Sequence, residues 1–395
     1  MQNNKFRKTG NCDIREYKCP NVLIHFLLII TTVLKTLKQY LFIIIVTIVG
    51  FCTLLSFGKA IIAVTIIRSC ARINGTVNGL TNDTALAHRI KNHLDASFIF
   101  PDESQIIPIH IGNFNNRIGT GINADDDTAA VNYLWLGCSF TFGDNCVADS
   151  TYPFLVNAAM NKHSINAAMG GYGFAQMLLR AQELAPVLKP QIIFFQYSDW
   201  LIERSQSHIN NSIKPLPFSA PYFYSDANGN ILIQKPLFDN ADVLALINTI
   251  STGPAGFFYR AKDVFSYQRV LIKKYVALAV IWFHQQTGEI PKPEMDNEKI
   301  LAHALDEMKL LCAKNNCQLI VVGIGNQTLP VPAGVNYINA EQGLVDYQKQ
   351  TGVAYNLLYH HWTKNRVEDF DHHPNNLAHS IFAKSILQKL KESNE

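Results

Sequence analysis

No CxxC pair, no HExxH motif and no regular cysteine spacing occurs in the sequence. Their absence excludes the common zinc sites and a disulfide framework. The eight cysteines are scattered: Cys12, Cys19, Cys52 and Cys70 lie in or near an apolar N-terminal region, and Cys138, Cys146, Cys312 and Cys317 lie beyond it. No internal repeat is visible, so a solenoid or propeller array is not indicated. Acidic residues are scarce at one end. Residues 1 to 72 carry ten lysines and arginines against two acids, a net +8, and the rest of the chain is −5. Such a split describes a basic membrane-proximal end on a mildly acidic globule, and no nucleic-acid partner is expected. Asn-X-Ser/Thr triplets at Asn74, Asn82, Asn210 and Asn326 matter only in a eukaryotic secretory pathway and carry no weight.

What that end does contain is an uncharged apolar run, LFIIIVTIVGFCTLLSF at 41–57, and the pattern resumes to Ile67. Seventeen residues rise roughly 26 Å, near the lower limit for crossing a bilayer, so 41–67 is predicted to be a transmembrane helix. An earlier run at 22–34 has the length of a signal-peptide core, but no small-residue cleavage site follows it. It reads as part of a basic cytoplasmic or interfacial segment, 1–40. Lys5, Arg7, Lys8, Arg15, Lys18, Lys35 and Lys38 precede the main run, and only Lys59, Arg68 and Arg72 follow it. This bias predicts a single-pass protein of the cell membrane with its globule outside the cytoplasm. A hairpin formed by both runs would invert that orientation.

Residues 68–105 read as a juxtamembrane linker with some helix at 84–94, and 106–395 as one large domain. With 48% apolar residues the chain can bury a core. In that domain the pattern predicts a strand at 131–136, a helix at 151–162, a strand at 164–168, a helix at 174–188 and a buried strand at 191–197. Prolines at 215, 217, 221, 236 and 254 then break the rhythm, marking an insertion over about 201–300 that could form a lid or a substrate wall. Helices are predicted at 267–286 and 298–314, a strand at 317–324, and a last helix opening at Pro374. Strands alternating with helices predict an α/β fold, a three-layer parallel sheet of flavodoxin-like type, whose ligands bind at the carboxyl ends of the strands.

At one such end stands WLGCSFTFGDN, 135–145, where an apolar strand stops at a glycine two residues before Ser139. A hydroxyl held there is a candidate nucleophile once an imidazole takes its proton and a carboxylate orients the imidazole. The C-terminal DFDHHPNNLAH supplies both groups, His373 before Pro374 and Asp371 two residues earlier. Asp369 and His372 form a competing pair. Cys138 is a further candidate nucleophile, although strand alternation points it away from Ser139. The histidines at 360, 361, 372, 373 and 379 have no ligand spacing, so no metal and no other cofactor is expected.

Together these stretches resemble the SGNH (GDSL-type) hydrolase family. GCSFTFG is similar to its first block, with Cys138 where the family has aspartate, and the resemblance maps the nucleophile onto Ser139. NAAMGGYGFAQ is similar to the second block and maps an oxyanion-hole glycine onto Gly171. DHHPNNLAH resembles the last block and gives Asp371 and His373 as acid and base. In the third block, FFQYSDW, Ser198 stands where the family has the asparagine that completes the oxyanion hole. Losing one such donor lowers rates by about 10²–10³. Without the resemblance, Ser139 could be a turn residue or cap, and Gly171 only a tight turn needing positive φ.

With the apolar N-terminal run as anchor, the resemblance implies a membrane-anchored serine esterase or deacetylase removing acyl groups from an envelope glycan or lipid. An O-acyltransferase using the same serine, and a non-catalytic binding module on the hydrolase fold, are the alternatives.

Overall fold

The computed structural model describes residues 20–69, 72–74, 79–99, 105–122, 130–210, 216–252, 257–293, 295–364 and 367–392; for 20–27, 66, 68–69, 72–74, 98–99, 251–252, 257–259 and 361–372 it describes only the backbone. These residues fall into two compact units divided between Lys59 and Ala60.

Helix α1 (Pro20–Ser69) makes up the described part of the first unit as far as Lys59 and continues into the second. Both apolar runs of the sequence belong to this one helix, with no turn between them. Lys35 and Lys38 interrupt the composition but are good helix formers, and no glycine or proline separates the runs. Leu28–Thr65 is long and apolar enough to cross a membrane. Its 38 residues rise roughly 57 Å, well beyond a hydrocarbon core of about 30 Å.

The second unit is built on a nine-stranded sheet. In chain order its first strands are β1 (Arg72–Asn74), β4 (Asp95–Ile99), β5 (Ile106–Ile111) and β6 (Arg117–Ile118), which pair antiparallel beside a separate hairpin, β2 (Leu80–Asp83) and β3 (Ala87–Ile90). The helix predicted at 84–94 is therefore absent. Asp83 Oδ1 accepts the amides of Ala85 and Leu86 at 2.8 and 2.7 Å, and Ala87 has φ +75°, so a side-chain-closed turn replaces the first helical turn.

The parallel part follows the predicted alternation. It comprises β7 (Tyr133–Leu136), α2 (Ser139–Phe142), α3 (Tyr152–Met160), β8 (Ser164–Asn166), α4 (Phe174–Leu188), β9 (Ile192–Tyr197) and α5 (Asp199–Glu203). The 201–300 region then holds the hairpin β10 (Tyr222–Ser225) and β11 (Ile231–Gln234) and the helices α6 (Ala241–Thr252) and α7 (Phe257–Thr287). After it come α8 (Asn297–Asn315), β12 (Gln318–Gly323), β13 (Asn336–Asn339), α9 (Glu341–Thr351), the hairpin β14 (Tyr359–Lys364) and β15 (Val367–Pro374), and α10 (Asn376–Glu392). The strands lie in the order β1-β4-β5-β6-β8-β7-β9-β12-β13, and from β8 to β13 all are parallel.

Period-two alternation explains how helices cover both faces. Leu134, Leu136, Ile193, Phe195, Leu319 and Val321 point into one core with α4 and α8; Tyr133, Trp135, Phe194, Ile320 and Val322 point into the other with α3, α9 and α10. Trp135 and Phe194 stack at 3.8 Å, and Trp135 Nε1 donates to Asn157 Oδ1 at 3.2 Å. A third cluster joins Ala60, Ala63, Val64 and Ile67 of α1 to Val243, Leu246 and Ile250 of α6 and Tyr267 of α7.

The last helix starts two residues later than predicted. Pro374 pairs with Tyr359 in the β14–β15 ladder, and Asn375 caps α10, its Oδ1 accepting Ala378 N–H at 3.1 Å. His373 is thus a residue of a β-hairpin.

Candidate active site

β7 ends at Leu136 opposite Phe195 of β9, and the chain must turn at once into α2. Only glycine fits at 137: a Cβ there would lie 2.0 Å from Thr141 Oγ1 and 2.6 Å from Gln196 Oε1. Gln196 is the hub behind this turn. Its Oε1 accepts Cys138 N–H at 3.0 Å and Thr141 Oγ1–H at 2.7 Å. Because the Thr141 proton is used there, the buried Tyr152 phenol, 2.6 Å away, donates to Thr141. Burial pushes that phenol above its ordinary range, keeping it protonated.

The Cys138 thiol faces the same network, 3.4 Å from Gln196 Oε1, inside the core. Ser139, 7% exposed, is the first residue of α2. Among the described residues its hydroxyl has one weak contact, Cys138 Sγ at 3.9 Å.

Ser139 opens onto a cavity of about 600 Å³ that His373 also lines, with Phe140, Trp200, Arg204 and Tyr359. The Phe140 ring lies 5.6 Å from the His373 ring and 5.1 Å from Trp200. The hairpin base is tied to the turn after α2 through Cys146 Sγ, 3.4 Å from the Pro374 carbonyl and 3.3 Å from His360 Nε2. That turn brings Asp144 into the site. Its amide donates to the Ser139 carbonyl at 3.0 Å, and its Oδ2 is 3.8 Å from His373 Nε2. Asp144 is missed by sequence reasoning; the signal available is its place in the FGDN turn closing α2. The Asp371 backbone pairs with His360 in the hairpin, but the side chains of Asp371, His372 and Asp369 lie outside the described residues.

The turn at 169–172 supplies the opposite wall. Gly171 has φ +81°, which only glycine adopts readily, and Met169 N–H is anchored on the Gly137 carbonyl at 3.2 Å. A Cβ on Gly170 would lie 3.3 Å from Asp144 Oδ2 and 3.9 Å from Ser139 Cβ, so the turn runs alongside the nucleophile candidate. His88 of β3, fully buried, stands 2.8 Å from the Gly170 carbonyl through Nε2. Burial lowers this imidazole to about 4, so at neutral pH it is uncharged, and facing a carbonyl its Nε2 carries the proton. In a trans peptide the carbonyl and the next N–H point opposite ways. Holding the Gly170 carbonyl therefore turns the Gly171 N–H away from His88. Tyr172 OH donates to the His88 carbonyl at 3.0 Å, and Asn210 Nδ2 to the Gly171 carbonyl at 2.6 Å. His88 has no local sequence signal, since it reaches Gly170 across 82 residues.

Ser198 sits at the end of β9, fully buried, and its hydroxyl proton goes to the Ile324 carbonyl at 2.6 Å while its oxygen accepts Gln196 Nε2–H at 3.0 Å. The structure thus brings Ser139, His373, Asp144 and the 170–171 turn together, with Ser198 one layer behind. Phe218, Tyr222 and Phe223 of the insertion are fully buried in the core, and Arg204 is what that region adds to the cavity.

Two further buried groups hold the helices behind the site, α2 and α3. Arg117 donates to the carbonyls of Phe142 (2.9 Å), Gly143 and Cys146. Burial lowers its guanidinium to about 10, which leaves it charged at neutral pH, and a cation suits the carbonyl end of a helix. His379 of α10 accepts Tyr152 N–H at 3.2 Å through Nδ1, and burial drops it to about 3, fixing it neutral.

No protein-family model matches the chain, and no curated protein matches it. Among solved structures, a catalytic mutant of an acetylxylan esterase from Geobacillus stearothermophilus is similar at 11% identity over 69% of this chain and 95% of the other, with a TM-score of 0.30. An acetyl xylan esterase from the rumen bacterium Butyrivibrio proteoclasticus is similar at 12% identity over 67% and 65%, also at 0.30. Likeness of that degree leaves the site to be read from its own residues.

Proposed function

We propose that the protein is a membrane-anchored serine esterase that removes acyl groups from an envelope glycan, with Ser139 as nucleophile and His373 as base. The observation that carries this reading is the shared cavity: a serine hydroxyl without a strong partner among the described residues and an imidazole face the same space at the carboxyl ends of β7, β9 and β12. His373 takes the Ser139 proton as Oγ bonds to the acyl carbon. The resulting oxyanion is met by the Gly171 N–H, turned outward by His88, and by the Ser139 N–H, which as the first amide of α2 has no intrahelical acceptor. Ser198, the second donor implied by the family resemblance, acts in this scheme by tying β9 to Ile324. The intermediate collapses as His373 returns the proton to the departing sugar oxygen, and water then repeats the cycle on the acyl-enzyme. Asp371 is the proposed orienting acid, and the Asp144 carboxylate stands close enough to stabilise the imidazolium.

The wall favours a sugar ester. Phe140, Trp200 and Tyr359 give flat rings, two of them with a polar edge, and Arg204 and Asn326 add donors for hydroxyl or carbonyl oxygens. The anchor would be α1, placing the second unit outside the cytoplasm. The test is hydrolysis of p-nitrophenyl acetate and release of acetate from an acetylated oligosaccharide by the full chain in detergent. Wild type is expected to turn over both and Ser139→Ala neither; equal rates for the two proteins would remove Ser139 from the role, and no turnover by either would favour a binding module.

A further inference from the structure

α7 presents an apolar side to solvent. Tyr267 and Ile281 are buried in the second unit, and Lys274 is buried with its ammonium 2.6 Å from Asp242 Oδ1. On the opposite side Ile272, Tyr275, Val276, Val280, Trp282 and Phe283 are each 50–63% exposed. Ile272, Val276 and Phe283 stand at i, i+4 and i+11, with Tyr275, Val280 and Trp282 beside them. They make one continuous stripe over three turns, not scattered exposed residues. Lys262 and Arg269 are exposed along one edge of this stripe, with Lys273 beside them paired to Asp242 of α6 at 2.9 Å, and the single acid of the helix, Asp263, is buried.

We propose that this face of α7 lies in the surface of a lipid bilayer with anionic headgroups. Three observations favour lipid over a second copy of the chain. The exposed charge that α7 itself carries on this side is all of one sign, which suits anionic headgroups, whereas two such faces opposed would set Lys262 and Arg269 against their own images. Tyr275 and Trp282 carry a polar atom on an apolar ring, the composition of side chains at a membrane–water boundary. The third is continuity: α7 belongs to the same buried cluster as Ala60, Ala63, Val64 and Ile67, and Thr65 is the last residue of the stretch able to cross a bilayer. α7 thus packs on the residues at which the chain would leave the membrane. The anchor and α7 would then hold the second unit by two contacts, fixing the direction in which the cavity faces. This inference rests on the anchored placement proposed above and is independent of the esterase chemistry.

The experiment uses the full chain reconstituted into vesicles of phosphatidylcholine and phosphatidylglycerol, with and without acyl chains brominated near the headgroup. Flotation with the vesicles reports anchoring by itself. Tryptophan emission of wild type minus that of Trp282→Phe isolates residue 282. Bromolipid is expected to remove most of this difference signal, and Lys262→Gln/Arg269→Gln to restore part of it. Emission of Trp282 that is insensitive to bromolipid but quenched by aqueous iodide, in protein that floats, would overturn the proposal. So would emission insensitive to both, with cross-linked dimers, which assigns the face to a second copy.

Discussion

In the proposed reaction Ser139 contributes a hydroxyl that adds little to stability, because its one contact among the described residues is a sulfur at 3.9 Å. Ser139→Ala should therefore lower kcat for acetyl release by at least about 10³-fold with an unchanged melting temperature. The two carboxylates separate by substitution. Asp371→Asn should lower kcat by about 10³–10⁴ if it sets the imidazole tautomer. Asp144→Asn, removing a one-third-exposed charge 3.8 Å from Nε2, should lower it by only about tenfold. Parallel kcat measurements decide between them; the larger loss at Asp144 would make it the orienting acid. Ser139 and His373 are legible in the sequence because each sits in a short pattern, a strand stopped by glycine and a His-Pro-Asn run. Asp144 and His88 are not, because their roles come from contacts made only when the turn after α2 and the β2–β3 hairpin close on the site.

Among the elements, the turn from β7 into α2 and the two buried histidines carry the sharpest consequences. Gly137→Ala would drive a Cβ to 2.0 Å from Thr141 Oγ1 and into the Gln196 hub, so urea unfolding should show a loss of about 2 kcal/mol or more. His88 and His379 give the fold a pH dependence of definite sign. Both folded pKa values lie below the ordinary 6.5, at about 4 and about 3, so the unfolded chain takes up protons first as pH falls. Stability from these groups is complete above about pH 6.5 and declines as pH drops through 6.5 towards 4 and then 3. Melting temperatures measured from pH 8 to pH 4 should fall, and His88→Gln should flatten the curve. The parallel strands and their helices are readable from periodicity, since β7, β9 and β12 are apolar on both faces. Residues 80–99 are not: their apolar positions follow neither period cleanly, and the Asp83 turn that makes them strands is a local side-chain event.

For the molecule as a whole, the boundary between the units matters to any truncation. Ala60, Ala63, Val64 and Ile67 follow the division at Lys59 yet complete the cluster formed by α6 and α7. Burying Val64 and Ile67 is worth about 1.5–3 kcal/mol each. A chain beginning at Ala60 should therefore melt several degrees above one beginning at residue 75, a difference calorimetry measures directly; equal melting temperatures would show that α1 adds nothing to the second unit.

Activation of Ser139 by His373 can be read directly from reaction with a fluorophosphonate and mass spectrometry of the intact protein and its peptides. One adduct is predicted, on the peptide holding Ser139, absent in Ser139→Ala and formed at least about 10²-fold more slowly in His373→Ala. An adduct formed equally by Ser139→Ala, or none on the folded wild type, would remove Ser139 from the nucleophile's role.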